Sequence, residues 1–214
     1  MMRVILVRHG ETAWNSERRI QGRTDIPLDR KGMRQAKLVG ERLAKWKIDA
    51  VYSSDLKRAM STARAIARRH PGVRLIKDEL LRERNWGIVE GKRWDEIRKD
   101  HPDAIRAILS GTASFRIPEG ESKVDVLDRA MRFLDSLSPK HDDGVVVVVS
   151  HGGLCATVLK HILGIEQAAR PPFFMENCAI SVLDYYHEEK SWFVRTLNDM
   201  AHLEALANET KPYG

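Results

Sequence analysis

The chain has 214 residues, with 36 Lys and Arg against 30 Asp and Glu and a formal net charge of +6. Its 43% hydrophobic and 31% charged residues are ordinary for a folded protein, which excludes collagen-like, coiled-coil and disordered readings. The basic residues are interspersed with acids, as between Lys31 and Lys47, so the charge reads as a mixed solvated surface plus any site that needs cations, not as a nucleic-acid footprint.

Met2 to Val7 read as a short buried strand. Residues 31–46 place Met33, Ala36, Val39 or Gly40, Leu43 and Trp46 on one helical face. Ala50 to Ser53 form a short strand, 55–69 a helix, and Gly72 to Ile76 another strand. Short helices follow near 93–100 and 103–110, broken by His101-Pro102, and Gly111 to Gly120 read as loop. Residues 122–137 form an amphipathic helix with Val124, Leu127, Met131, Leu134 and Leu137 on one side, stopped by Ser138-Pro139. Val145 to Ser150 are apolar at almost every position and belong in the middle of a sheet covered on both faces. A helix over 153–163 follows, then a hairpin of 180–186 and 192–197 around His187 to Lys190. The polar tail is expected to fray. The order predicts one α/β domain over 1–214, with a small helical insertion at roughly 80–120.

The N-terminal apolar stretch is too short for a signal peptide, and the valine run falls far below the roughly 20 residues of a membrane helix. Cys155 and Cys178 make neither a disulfide framework nor a metal-ligand spacing, so a reducing, cytoplasmic setting is expected.

Ligands of open α/β sheets bind beyond the carboxyl ends of the strands. The first strand delivers Arg8-His9-Gly10 there, and the valine strand delivers Ser150-His151-Gly152-Gly153. Glycine lets the backbone approach a ligand, and a helix start offers free N–H groups to an anion. Two imidazoles, an arginine and such N–H groups make a site for a tetrahedral oxyanion, most simply phosphate. Metal binding is the competing reading of paired histidines. It is weak because no acid apart from Glu11 recurs at ligand spacing.

The segment Leu6 to Asn15, Leu-Val-Arg-His-Gly-Glu-Thr-Ala-Trp-Asn, resembles the signature of the histidine phosphatase superfamily, in the branch that includes the cofactor-dependent phosphoglycerate mutases. The resemblance continues, in family order, through Gln21-Gly22, Asp25 to Leu28, Ser53 to Ala59, Leu81 to Gly87 with Glu90-Gly91, Pro118 to Ser122 and Val149 to Gly153. It implies a phosphoglycerate mutase-like fold: a three-layer sandwich with a mostly parallel central sheet flanked by helices. It also implies roles. His9 would be the phosphoryl-accepting nucleophile, with Arg8, Arg58 and His151 around the phosphoryl oxygens. Glu83 would protonate the leaving alkoxide and then activate water. Asn15 would add a neutral donor. Gln21, Gly22, Arg84, Trp86 and Gly152 would shape the substrate pocket, and His202 resembles a C-terminal histidine that reaches the substrate in some relatives.

The mutases of the family carry a longer insertion and additional cations. Here Trp94 stands where they place a substrate lysine, and Gly153 where they have Asn. The expectation is therefore a phosphomonoesterase that needs no metal or other cofactor and acts on a small phosphorylated metabolite, with no nucleic-acid or membrane partner; a homodimer is compatible with it. The alternatives are a cofactor-dependent phosphoglycerate mutase and, from another class, a non-catalytic phosphate- or nucleic-acid-binding module.

Overall fold

The computed structural model describes residues 1–109 and 111–207, so most of the polar tail lies outside the described residues. Six strands form one sheet: β1 (Met2–Arg8), β2 (Ala50–Ser53), β3 (Arg74–Lys77), β4 (Val145–Ser150), β5 (Ile180–Tyr186) and β6 (Ser191–Asp199), in the order β3-β2-β4-β1-β5-β6. The first four are parallel, and β5 and β6 complete the sheet antiparallel.

The all-valine composition of β4 follows from its position between β1 and β2. Val146 and Val148 point into one apolar layer and Val147 and Val149 into the other, so neither face meets water. One layer is built on α2 (Arg30–Leu43) and α3 (Lys57–Ala67), after the short α1 (Ala13–Ser16). The opposite layer is built on α6 (Lys123–Asp135) and α7 (Gly152–Ile162). Between the layers' helices the chain forms α4 (Trp94–Asp100) and α5 (Pro102–Leu109), with Ile20, Val89, Ile97, Ile105 and Ile117 as a separate small core. The chain is described as far as α8 (Glu204–Ala207).

Two helix faces differ from the sequence expectation. In α2, Met33 is 54% exposed, and the buried face is Gly32, Gln35, Ala36, Val39, Gly40 and Leu43. The rotation brings Gly32 against the Glu11 backbone, where a Cβ would lie 2.0 Å from the carbonyl oxygen, and lets Gln35 Oε1 accept from Glu11 N at 2.8 Å. In α6, Val124 is exposed, while Val126, Arg129, Ala130, Phe133 and Leu134 are buried. Arg129 occupies a position on that face that an apolar pattern does not register.

Candidate active site

β1 and β4 are neighbours in register, Arg8 opposite Ser150, so their carboxyl ends deliver His9 and His151 to the same place. His9 N donates to Ser150 O at 2.9 Å, and the two imidazole centroids stand 5.1 Å apart at 60°. Both rings are buried, His9 at 3% exposure.

The protons on these rings are set by their partners. His9 Nδ1 lies 2.7 Å from Gly10 O, an acceptor, so Nδ1 carries the hydrogen and Nε2 keeps its lone pair. Gly10 is required here because a Cβ would lie 2.6 Å from Gly32 O. Arg58 Nε donates to His151 Nδ1 at 3.1 Å, so the His151 proton sits on Nε2. Burial, then the Arg58 and Arg8 guanidiniums, hold His9 well below the usual imidazole range. Burial and Arg58 do the same for His151.

Arg58 is fully buried, and its remaining donors reach Thr24 O at 2.8 Å and Gly22 O at 2.6 Å. Burial pushes its guanidinium down to about 10. Arg8 Nη1 donates to Met175 O. Arg8 Nε and His151 Nε2 are buried and have no partner among the described residues. Buried donors without partners are costly unless a ligand oxygen meets them. Gly152 makes room for Arg8, since a Cβ would stand 3.2 Å from its Nε.

Glu83 enters from the loop after β3 and meets the first turn of α7. Its Oε1 accepts from Arg84 N at 2.8 Å and Leu154 N at 3.1 Å, and its Oε2 from Gly153 N at 2.9 Å. Oε2 thus retains a lone pair that can carry a proton. Gly153 cannot bear a side chain here without a shift, because a Cβ would lie 2.4 Å from Glu83 Oε1. Behind Glu83, Arg129 donates to the carbonyls of Leu80, Arg82 and Glu83 and to both oxygens of Glu121.

A cavity of about 740 Å³ opens over these groups, lined by Arg8, His9, Asn15, Gln21, Gly22, Arg58, Glu83, Trp86 and Gly152 among others. Asn15 Oδ1 accepts from Thr12 N and Thr12 Oγ1, so its amide nitrogen is the group left to donate. Three candidates are not among the cavity's lining residues: His151, whose ring packs 5.1 Å from that of His9 beneath the cavity, Arg84 and His202. Arg84 lies over the Trp86 ring at 4.7 Å and donates to Glu121 O and Phe115 O, outside the main cavity. His202 is not among the cavity's lining residues: β6 runs out to Asp199, the turn after it packs on α2, and its Nε2 rests 3.1 Å from Cys178 O.

Sequence reading missed Arg19 and the Arg170 to Met175 segment, which also line the cavity. The Arg-Pro-Pro-Phe-Phe run was the available signal, and Phe174 is 72% exposed. It also gave Glu90 no role. The Glu90 carboxylate accepts from Arg23 N, Thr24 N and Trp86 N, and so ties the Gly22 loop to the Trp86 turn. No group of three or more His, Cys, Asp or Glu among the described residues could hold a metal ion. Nor is any described helix long and apolar enough to cross a membrane.

Residues 4–200 match the family model of the histidine phosphatase superfamily (branch 1). The chain is 39% identical over 210 residues to a protein named probable phosphoglycerate mutase GpmB from Escherichia coli, with 97% of each chain covered. Among solved structures it is similar to YhfR of Bacillus stearothermophilus, at 31% identity and a TM-score of 0.88 over 95% of this chain and 100% of that one. It is also similar to the mycobacterial glucosyl-3-phosphoglycerate phosphatase Rv2419c, at 30% identity and a TM-score of 0.83 over 92% and 99%. The chain belongs to the histidine phosphatase superfamily, branch 1, and carries that family's α/β sandwich.

Proposed function

We propose that this histidine-phosphatase-type hydrolase is a phosphomonoesterase that acts on a small metabolite phosphate through a phosphohistidine on His9. The observation that carries the reading is the fixed tautomer of His9, whose ring lies 5.1 Å from that of His151, together with two buried donors that have no partner among the described residues, Arg8 Nε and His151 Nε2. A phosphoryl group seated there has its equatorial oxygens met by these donors and by the charge of Arg58. In the first step His9 Nε2 forms the bond to phosphorus, the ester P–O bond breaks, and Glu83 gives its proton to the leaving oxygen. In the second, Glu83 takes a proton from water, whose oxygen attacks phosphorus and frees His9 and inorganic phosphate.

Hydrolysis of p-nitrophenyl phosphate in EDTA tests the reading. It should be blocked by vanadate and lost in His9→Ala, and mass spectrometry of acid-quenched protein should find phosphate on His9. Absence of hydrolysis across a panel of phosphomonoesters would overturn it.

The name of the Escherichia coli relative favours a second reading, transfer between the hydroxyls of phosphoglycerate. Arg19 and Arg170 add cations to the cavity lining in its support. Phosphorus NMR with 3-phosphoglycerate and 2,3-bisphosphoglycerate decides between the two: accumulation of free phosphate supports hydrolysis, and interconversion without it supports mutase chemistry.

A further inference from the structure

A second cavity, of about 560 Å³, adjoins the first and shares Trp86, Gly153, Ala156, Arg170 and Pro171 with it. The two therefore adjoin along these residues, with the proposed phosphoryl site in the first. Two properties of the second cavity stand together. Its body is apolar and aromatic: Trp86 and Trp94 meet edge to face at 6.0 Å, and Val126 and Ile108 complete the wall. It is also cationic, because Arg84, Lys123, Lys160 and Arg170 line it and no carboxylate does among the described residues, although Glu83 and Glu121 act on Arg84 from behind the wall.

Among the described residues, Arg84, Lys123 and Lys160 serve no ion pair. Arg84 donates to Glu121 O and Phe115 O, Lys123 Nζ to Ala168 O at 3.4 Å, and the buried Lys160 Nζ to Gln167 O and Ala169 O. The nearby acids are engaged elsewhere, Glu121 with Arg23 and Arg129, and Asp125 with Arg116 and the start of α6. Three cations in a low-dielectric cleft, held only by carbonyls, create a positive field whose natural complement is an anion. Lys123, with a single long bond, has donors to spare for it.

We infer that the second cavity binds the leaving-group end of the substrate, and that this end is an aromatic or otherwise apolar body carrying a carboxylate or similar anion beyond it. The inference rests on the phosphatase reading of the first cavity and names its substrate class. Small polar alcohols such as glycerol leave the aromatic wall uncovered.

The test compares kcat/KM for 6-phosphonooxy-2-naphthoate, 2-naphthyl phosphate and glycerol 3-phosphate. The expected order is the order just given, with the naphthoate roughly tenfold above the unsubstituted naphthyl ester, as one charge-assisted hydrogen bond provides. In Lys123→Met the ratio of the two naphthyl substrates should fall to near one. In Trp94→Ala the ratio of 2-naphthyl to glycerol phosphate should fall. Equal kcat/KM for all three substrates in the wild-type protein, or ratios unmoved in folded variants, would overturn the inference. Failure of the phosphatase reading itself is separately visible, because p-nitrophenyl phosphate would then not be hydrolysed at all.

Discussion

Arg58 donates its Nε–H to Nδ1 of His151 at 3.1 Å, and this bond places the His151 proton on Nε2. One arginine thereby supplies charge and fixes the tautomer of a neighbouring donor, while its two other nitrogens hold the carbonyls of Gly22 and Thr24. Lysine can replace the charge but not this fork. Arg58→Lys should therefore lower kcat/KM for p-nitrophenyl phosphate by about 10²–10³-fold, the loss typical of a transition-state donor. Nitrogen-15 NMR of His151 should show the Nε2–H tautomer in the wild-type protein and its loss in the variant. An unchanged tautomer would show that Arg58 acts through charge alone.

Glu83 and Gly153 make a pair of opposite kind, a carboxylate and an obligatory absence of side chain. With a Cβ at 153 set to fall 2.4 Å from Oε1, Gly153→Ala must displace the carboxylate. A displaced acid matters most when the leaving group is a poor one. Glu83→Gln should reduce turnover of alkyl phosphates by about 10²–10⁴-fold, the usual contribution of general acid catalysis, and of p-nitrophenyl phosphate much less. Gly153→Ala should show the same dependence on leaving group at smaller amplitude. A loss equal for both substrates would assign Glu83 to binding.

What the sequence discloses and what it hides divide along the range of the interactions. A five-valine run has one physical solution, a strand covered on both faces, and the two His-Gly pairs mark the strand ends where the layers leave a cleft. These are local patterns. Arg129 is invisible to them: a charge on an otherwise apolar helix face reads as surface, and its five bonds go to residues up to 49 positions away. Met33 fails for the same reason, since the close approach of Gly32 to Glu11 decides which way α2 turns. His202 reads as a ligand only by its place in the chain, and the turn that carries it rests on α2 instead.

Three described histidines are buried, His9, His70 and His151, and the two of the site, held furthest below the ordinary range, make stability depend on pH most strongly. Both have folded pKa values depressed below the unfolded value of about 6.5, by burial first and the neighbouring guanidiniums second. Above that value neither state binds the proton, and the histidines contribute no pH slope. Below it the unfolded chain takes up protons that the native state refuses, so stability falls with pH, by about 1.4 kcal/mol per unit for each histidine until the folded pKa is reached. Urea melts at pH 7.5 and 5.5 should show the loss, and His9→Gln should remove about one histidine's share of the slope. A slope that survives in full in His9→Gln would mean that His9 is protonated in the native state. Activity should follow the same shift, with kcat/KM holding through pH 6.5 where a free imidazole would already be half protonated.

Arg129 is the residue whose removal should cost most outside the proposed phosphoryl site. It is buried, it pairs with Glu121, and it gathers the carbonyls of Leu80, Arg82 and Glu83. Arg129→Met strands a largely buried carboxylate and three acceptors, although Arg23 and Asn85 N still reach Glu121. Removal of one partner from a buried ion pair destabilises by about 3–5 kcal/mol. At roughly 2–4 °C per kcal/mol for a chain of this size, the midpoint of thermal unfolding should fall by about 6–20 °C. The double variant Arg129→Met with Glu121→Gln should recover part of that loss, because it neutralises the stranded charge. At a temperature where the single variant is fully folded, kcat for alkyl phosphates should still be reduced more than KM is raised, since the Glu83 loop has lost its anchor. Native kcat in a destabilised variant would confine Arg129 to stability alone.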